Sequence, residues 1–135
     1  MAKILIVEDN ALNIKLFCDL LAAHGHEPEA VTDSRHALEA ARAFQPELVI
    51  TDIQLPHVSG MELIRMLRAD DKLGAVPIMA VTAYSTTGDE ERIRAAGAQA
   101  YVAKPISVMK FVATVDDLLA EKAAAEPALG PGPGS

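Results

Sequence analysis

The 135-residue chain is poor in cysteine and in aromatic side chains, and it contains no long apolar run. Its single cysteine, Cys18, excludes an internal disulfide framework and a cysteine-rich metal site, and its apolar neighbours favour a buried thiol. No apolar stretch approaches the length that a membrane-spanning helix needs. We therefore expect a soluble, cytoplasmic protein that does not insert into a membrane.

Positive charge is also scarce. The 12 Lys and Arg residues are outnumbered by 19 Asp and Glu residues, which gives a formal net charge of −7. Nucleic-acid binding requires a basic face that neutralises phosphates, and no basic cluster is present. A glycine-rich loop of the nucleotide-binding kind is missing as well. The sequence thus argues against a nucleic-acid partner and against a nucleotide cradle.

Short apolar runs alternate five times with segments of helical spacing. Continuous, branched runs predict strands that are buried on both faces, and two weaker runs complete the set. The predicted strands are Ile4 to Val7, about Glu29 to Val31, Leu48 to Ile50, Ile78 to Val81, and about Ala100 to Ala103. This alternation predicts an α/β domain with a doubly wound, five-stranded parallel sheet of order 2-1-3-4-5 and the flavodoxin-like topology, flanked by five helices.

Five helices are expected between and after these strands. The first should bury a row of leucines at positions 12, 16 and 20 together with Phe17 and Leu21, and stop near Gly25. The second should run from about residue 34 to 44. Capping boxes that begin at Ser59 and Thr87 predict the third and fourth helices, and Ser107 is the expected N-cap of the fifth.

Residues 1–122 are expected to form the domain, and residues 123–135 a flexible Ala/Pro/Gly tail or a cloning remnant.

Polar residues follow four of the predicted strands. Glu8 and Asp9 follow the first strand, Asp52 the third, Thr82 the fourth and Lys104 the fifth. In a doubly wound sheet, ligands bind at the carboxyl ends of the strands where the winding direction reverses. We therefore expect these side chains to converge on one site.

The expected site has a specific chemistry. Three crowded carboxylates repel one another, so they either take up protons or hold a cation. Oxygen donors without His or Cys favour a hard ion such as Mg²⁺, which in turn screens phosphoryl oxygens. Asp52 is then the natural nucleophile and would form an aspartyl phosphate, while Lys104 and Thr82 would contact the phosphoryl oxygens.

Each of these residues taken alone also has an ordinary structural explanation. An acid pair after a strand is often a solvated turn or an N-cap, a lone lysine is usually at the surface, and a β-branched threonine suits the end of a strand. A cis bond between Lys104 and Pro105 would redirect the chain and aim the lysine, although most such bonds are trans. The coincidence of the required chemistry at four strand ends favours the functional interpretation.

Four stretches of sequence also resemble a known family. The segments ILIVEDN, LVITDIQLPHVSG, PIMAVTAYS and AYVAKPIS are similar to those of the receiver domain of two-component response regulators, which has the CheY-like fold. The resemblance extends over about residues 3 to 121. It implies a phosphorylation switch that signals through protein contacts or phosphate transfer.

The resemblance also implies roles for individual residues. Asp52 would accept a phosphoryl group from a phosphohistidine on a sensor histidine kinase or a histidine phosphotransferase. Glu8, Asp9, Asp52 and the backbone carbonyl of Gln54 would hold Mg²⁺. Thr82 and Lys104 would contact the phosphoryl group, and Tyr101 would be the switch aromatic that turns inward as Thr82 moves.

The expected surface for partner docking contains Asn13, Leu16 and Phe17, although Leu16 and Phe17 are equally compatible with the core. Tyr84 occupies a position that tunes access to the acyl phosphate. We expect a monomer or weak dimer.

Two other functions are compatible with parts of this pattern. A phosphatase of the haloacid-dehalogenase type uses a similar Asp, Thr or Ser, Lys and Mg²⁺ set, but it has a general acid two residues after its nucleophile, where this chain has Gln54. A phosphorylation-independent adaptor would keep the fold without needing the site. The site residues favour a switch that is not an enzyme beyond its own phosphotransfer and dephosphorylation.

Overall fold

The computed structural model describes residues 2–83 and 87–124, apart from the side chains of residues 87 and 122–124. Five strands and five helices alternate along the chain, with a short 3₁₀ turn at Ser34–His36 before the second helix. The strands are β1 Lys3–Val7, β2 Glu27–Val31, β3 Leu48–Asp52, β4 Ile78–Thr82 and β5 Ala100–Ala103. The helices are α1 Ala11–Ala23, α2 Ala37–Phe44, α3 Gly60–Ala69, α4 Thr87–Ala96 and α5 Val108–Ala124.

All strand pairs are parallel, and the order β2-β1-β3-β4-β5 confirms the predicted doubly wound fold. The strands β3 and β4 are longer than their apolar runs and end at Asp52 and Thr82. Both residues are buried within the sheet edge, with Asp52 paired to Val81 and Thr82 paired to Ala103. The polar residues therefore belong to the sheet itself.

The sheet separates two hydrophobic cores. Alternate residues of β1 enter each core: Leu5 and Val7 face one side, and Ile4 and Ile6 face the other, as the two-residue period of a strand requires. Helices α2, α3 and α4 cover the first side, while α1 and α5 cover the second. Burial on both faces explains why β1, β3 and β4 are continuous apolar runs, whereas β2 and β5 at the two edges of the sheet are more exposed.

The helix α1 exists as predicted and buries Phe17 and Leu21 of the expected apolar stripe, but Leu12 and Leu16 lie outside the core. Phe17 and Leu21, one helical turn apart, are each 1% exposed, whereas Leu12 is 79% exposed and Leu16 is 37% exposed. The ring of Phe17 stacks on Phe111 of α5, with centroids 4.9 Å apart. This long-range pair sets the rotation of α1, so that Leu12 and Leu16 face solvent while Leu20 packs against the edge of the core. Cys18, expected to be buried, is partly exposed and packs at the edge of the same core.

Side-chain caps fix the starts of three helices near the site. Asn10 accepts a hydrogen bond from the amide of Asn13 at the start of α1, and Ser59 accepts one from Glu62 at the start of α3. Ser107 accepts one from Lys110 in α5, as predicted. Thr87 is the first residue of α4 and not its cap, and the residues before it lie outside the described part of the chain. The proposed tail from residue 125 onward also lies outside it, and α5 continues to Ala124.

None of the helices within the described ranges combines the length and the apolar character that crossing a bilayer would require.

Candidate functional site

The three acids meet at the carboxyl edge of the sheet. Glu8, Asp9 and Asp52 each offer one carboxylate oxygen, and these oxygens all lie within 4.8 Å of one another. Glu8 and Asp9 follow β1, and Asp52 ends the adjacent strand β3. The neighbouring position of β1 and β3, where the winding direction reverses, is what brings these residues together.

Asp52 lies at the centre of the site and is only 3% exposed. Its Oδ2 atom accepts a hydrogen bond of 2.7 Å from Nζ of Lys104, and its Oδ1 atom accepts one of 2.9 Å from the backbone amide of Gln54. Both carboxylate oxygens are thus bound by donors. These contacts fix the orientation of the carboxylate and stabilise its charge.

Glu8 is almost completely buried, with 1% of its surface exposed. Its carboxylate accepts hydrogen bonds from the backbone amide of Asn10 at 3.1 Å and from Nδ2 of Asn13 at 3.5 Å. Burial raises the pKa of Glu8 to about 7, and the charge of Asp52 adds to the rise, while the hydrogen bond from Asn10 opposes it. Glu8 therefore changes its charge near neutral pH.

Lys104 is the cation of the site. It lies 2.7 Å from Asp52 and 4.0 Å from Glu8. Burial alone would lower the pKa of Lys104, but the hydrogen bond and charge of Asp52, with the charges of Glu8 and Asp9, raise it. Lys104 is consequently a firmly protonated donor. The bond between Lys104 and Pro105 is cis.

Thr82 is the last residue of β4 and is 1% exposed. Its backbone carbonyl accepts a hydrogen bond of 2.8 Å from the amide of Lys104. This bond continues the pairing of β4 with β5 by one residue and couples the backbone positions of Thr82 and Lys104. The end of β4 thus lies beside the segment that carries Lys104.

Gly60, the first residue of α3, lies directly behind Asp52. A Cβ atom at this position would lie 2.6 Å from Cα of Ile53 and would overlap the backbone carbonyl of Asp52. The amide of Gly60 also donates a hydrogen bond of 2.9 Å to the carbonyl of Ile53. Only glycine permits this approach of helix to strand end. The sequence motif marked Gly60 as part of a helix cap, but not as a residue that supports the position of Asp52.

The structure also places the residues that were predicted for metal binding and for docking. Gln54 lies beside the site through its amide contact with Asp52, and its predicted role as a carbonyl ligand stays a prediction. Asn13 turns its side-chain amide toward Glu8, a contact that sequence reasoning missed. Phe17 is in the core against Phe111, which is the alternative that the sequence left open for this residue. Leu16 stays available at the surface of α1.

Tyr101 lies on β5 and is partly buried. Its hydroxyl donates a hydrogen bond of 3.2 Å to Oε1 of Glu90 in α4. This bond raises the pKa of Tyr101 because a carboxylate acceptor favours the protonated phenol. Tyr84 lies outside the described residues.

The donor set fits a hard divalent cation. All three candidate side chains offer carboxylate oxygens, and Mg²⁺ prefers oxygen ligands while retaining part of its hydration shell. The partial exposure of the cluster, in which Asp9 is exposed and the other two acids are buried, leaves one side accessible for water or a phosphoryl group. The residues thus fit Mg²⁺ in both chemistry and charge.

Comparisons with known proteins agree with this geometry. A model of the response regulator receiver domain family matches residues 4–116. The chain is 48% identical over 118 residues to the polar-differentiation response regulator DivK of Brucella anthropi, a match that covers 87% of this chain and 96% of DivK.

Two solved structures extend the comparison. The fold is similar to that of the chemotaxis protein CheY4 of Vibrio cholerae, with a TM-score of 0.83, 25% identity, and coverage of 87% of this chain and 98% of that one. It is also similar to the receiver domain of a Pseudomonas aeruginosa sensor histidine kinase, with a TM-score of 0.81, 29% identity, and coverage of 88% and 98%. The second structure contains a magnesium ion coordinated in its active-site cleft. The chain is therefore a member of the response regulator receiver domain family of two-component signalling systems.

Proposed function

We propose that this protein is a phosphorylation switch that accepts a phosphoryl group on Asp52 from the phosphohistidine of a sensor kinase or a histidine phosphotransferase. The observation that carries the proposal is the position of Asp52. Its carboxylate is held between the ammonium of Lys104 and the amide of Gln54, next to two further acids. Such a preorganised oxygen nucleophile beside a cation is suited to phosphoryl transfer.

In the transfer step, a carboxylate oxygen of Asp52 attacks phosphorus as the bond between phosphorus and the imidazole nitrogen breaks. The electron pair of that bond stays on the imidazole, and an acyl phosphate forms on Asp52. Lys104 donates to a phosphoryl oxygen, and the hydroxyl of Thr82 donates to another. Mg²⁺ held by the three acids would neutralise part of the negative charge of the phosphoryl oxygens.

Glu8, Asp9 and Asp52, with the backbone carbonyl of Gln54, are the residues that would hold Mg²⁺. The oxygen-only donor set supports this assignment, as does the magnesium ion in the cleft of the Pseudomonas receiver domain. Glu8 need not contact the ion directly, since Mg²⁺ keeps several waters and a buried carboxylate can bind one of them.

Phosphorylation would favour one of two pre-existing conformations, with Thr82 and Tyr101 as the coupled residues. The protein would then act by changing which partners it contacts, and it would catalyse only its own phosphotransfer and dephosphorylation. The likeness to DivK supports a role in polar differentiation, and thereby in cell-cycle or cell-fate control.

The docking surface for the histidine-bearing partner would be α1. The exposed side chains of Leu12 and Leu16, one turn apart, form an apolar patch on this helix, and Asn13 of the same helix contacts Glu8. The helix that carries these exposed leucines thus also contacts an acid of the candidate site. The partner would be a protein, because the net charge of −7 disfavours nucleic acid.

The test is phosphorylation of the purified protein with acetyl phosphate and Mg²⁺, followed by intact mass measurement. We expect one added phosphoryl group, absent in Asp52→Asn and present in the control Asp71→Asn, which removes an exposed acid outside the site. Profiling against purified histidine kinases would then identify the donor. No adduct with acetyl phosphate and no transfer from any kinase would overturn the proposal.

A further inference from the structure

Glu90 of α4 contacts β5, the strand that carries the predicted switch residue Tyr101. Its Oε1 atom accepts the hydrogen bond from the hydroxyl of Tyr101 on β5, and its Oε2 atom lies 3.0 Å from Nε of Arg94, one turn later in α4. The two oxygens of one carboxylate thus have separate partners. Neither contact could be inferred from the sequence motifs.

Arg94 connects this carboxylate back to β5. Its Nη1 atom donates a hydrogen bond of 2.7 Å to the carbonyl of Gln99, immediately before the strand that carries Tyr101. A continuous set of contacts between α4 and β5 therefore joins Tyr101, Glu90, Arg94 and Gln99. In this arrangement Arg94 orients Glu90, and Glu90 holds the hydroxyl of Tyr101.

The Gln99 end of this set of contacts is held in place by hydrogen bonds from Arg68. Arg68 of α3 is partly buried and donates to the carbonyls of Gly97 at 2.8 Å and Val76 at 2.5 Å. It also donates to the side chain of Gln99, whose Oε1 atom accepts from the amide of Ile78. The segment that ends α4 and begins β5 is thus tied to α3 and β4. The Glu90–Arg94 pair, by contrast, is partly exposed, and Glu90 connects the hydroxyl of Tyr101 to these anchored contacts.

We infer that Glu90 is a positioning residue that holds Tyr101 in its present orientation and thereby favours the unphosphorylated conformation. The inference deepens the proposed function and rests on it for its physiological meaning. An inward turn of the Tyr101 ring must break the hydrogen bond to Glu90. The loss of this bond raises the free energy of the conformation with the ring turned inward relative to the unphosphorylated conformation. A carboxylate acceptor makes this bond stronger than a neutral one.

A double-mutant cycle isolates this contact from general packing. The variants are Glu90→Ala, Tyr101→Phe and their combination, and Glu91→Ala is the control, because it removes the same charge from the neighbouring exposed position of α4. The first measurement is the apparent Kd for beryllofluoride with Mg²⁺, which mimics the phosphoryl group. The second is the NMR signal of the Tyr101 ring in the unmodified protein, assigned with Tyr84→Phe.

We expect Glu90→Ala to tighten the apparent Kd by about two- to tenfold, the range for one hydrogen bond, because it raises the population of the competent state. The same substitution should have no effect in the Tyr101→Phe background. In the unmodified protein, Glu90→Ala should move the Tyr101 signal toward its position in the beryllofluoride complex, and Glu91→Ala should not.

An equal effect of Glu90→Ala in both backgrounds, or a Tyr101 signal that stays in place, would overturn the inference. The proposed function fails in a different way. If the wild-type protein does not bind beryllofluoride while Glu90→Ala still moves the Tyr101 signal, then the hydrogen bond positions Tyr101 but the phosphorylation switch is wrong.

Discussion

The ammonium of Lys104 lies 2.7 Å from the carboxylate of Asp52, although 52 residues separate them in the chain. Asp52 is 3% exposed, and its neighbours Glu8 and Asp9 are both acids. Lys104 is thus the only cationic side chain that the structure places against this carboxylate within the described residues. Its removal would leave a buried charge among like charges, which is costly.

We expect Lys104→Met to lower the free energy of unfolding in the absence of metal by about 1–3 kcal/mol, since Asp52 loses its charged partner. Added Mg²⁺ should restore part of this loss, while phosphorylation of Asp52 should slow by about tenfold or more. Urea denaturation with and without Mg²⁺ measures the first effect. The control is Lys110→Met in the first turns of α5, and equal behaviour of the two variants would contradict the prediction.

The raised pKa of Glu8 predicts a pH dependence of stability. The folded protein binds the proton of Glu8 more tightly than the unfolded chain, whose pKa is near 4.5. This contribution to stability is therefore complete below pH 4.5, and it is lost as the pH rises to about 7. The metal-free protein should become less stable across this window. Urea denaturation in a chelator measures the trend, and Glu8→Gln should flatten it.

The same titration affects metal binding. Mg²⁺ binds the ionised acids, so its affinity should rise between pH 6 and pH 8 as Glu8 loses its proton. Isothermal titration calorimetry at several pH values would measure this rise. An affinity that is independent of pH in the wild-type protein, or equally dependent in Glu8→Gln, would be inconsistent with the assignment of Glu8.

The close approach at Gly60 predicts a large effect of one added methyl group. In Gly60→Ala the Cβ atom would collide with the backbone of Asp52 and Ile53, so α3 or the end of β3 must move. We expect a loss of about 1–3 kcal/mol of stability, as for other overpacked sites, with slower phosphorylation of Asp52 by acetyl phosphate. Gly88→Ala is the matched control, because a Cβ atom there meets nothing within 4 Å. A Gly60→Ala protein with wild-type stability and phosphorylation would refute this.

The stacked pair Phe17 and Phe111 predicts a large loss of stability when one ring is removed, because the pair lies in the core away from the candidate site. Phe111 is 0% exposed, and Phe111→Ala should cost about 3–5 kcal/mol of unfolding free energy. Met109→Ala, at an 82% exposed position of the same helix, should change stability by no more than about 0.5 kcal/mol. Chemical denaturation measures both, and similar values for the two variants would show that the pair does not join α1 to α5.

The exposed patch of Leu12 and Leu16 on α1 predicts that substitutions there affect a protein phosphodonor and a small-molecule phosphodonor differently. Leu12→Ala and Leu16→Ala should slow phosphotransfer from a histidine-bearing protein while leaving phosphorylation by acetyl phosphate unchanged, because the small donor needs no docking surface. Met66→Ala, at a 39% exposed position of α3, is the control. Equal rates for all three variants with the protein donor would remove α1 from the interface.

The sequence predicted β1, β3 and β4 clearly because each contains a continuous apolar run, as expected for strands buried on both faces. The weaker runs of β2 and β5 were predicted from their place in the alternation of strands and helices. It also predicted which residues lie at the strand ends, since the polar residues follow these runs directly. The chemistry of the site could therefore be anticipated from Asp52, Thr82 and Lys104. Their mutual distances required the structure.

The sequence placed Phe17 and Leu21 correctly in the buried stripe of α1, but it could not show that Leu12 and Leu16 lie outside the stripe, because the helix has apolar residues on more than one side. The row of Leu12 and Leu16 competes with the row of Phe17 and Leu21, and periodicity does not choose between them. The choice depends on Phe111, far along the chain. The contacts of Glu90 and Arg68 depend in the same way on distant partners, and no local pattern encodes them.

The division of the acceptor site among four strand ends has a consequence for biosynthesis. Glu8 leaves the ribosome early, but Lys104 is in the last βα unit, and parallel pairing of β1 with β3 must bypass the intervening segment of chain. Such non-local pairing is slow, because the loop must close before any contact stabilises it. A nascent chain that lacks β5 therefore has acids without their cation. The protein can accept a phosphoryl group efficiently only when the whole sheet has formed. Truncated or partly folded chains should therefore not be phosphorylated by the kinase.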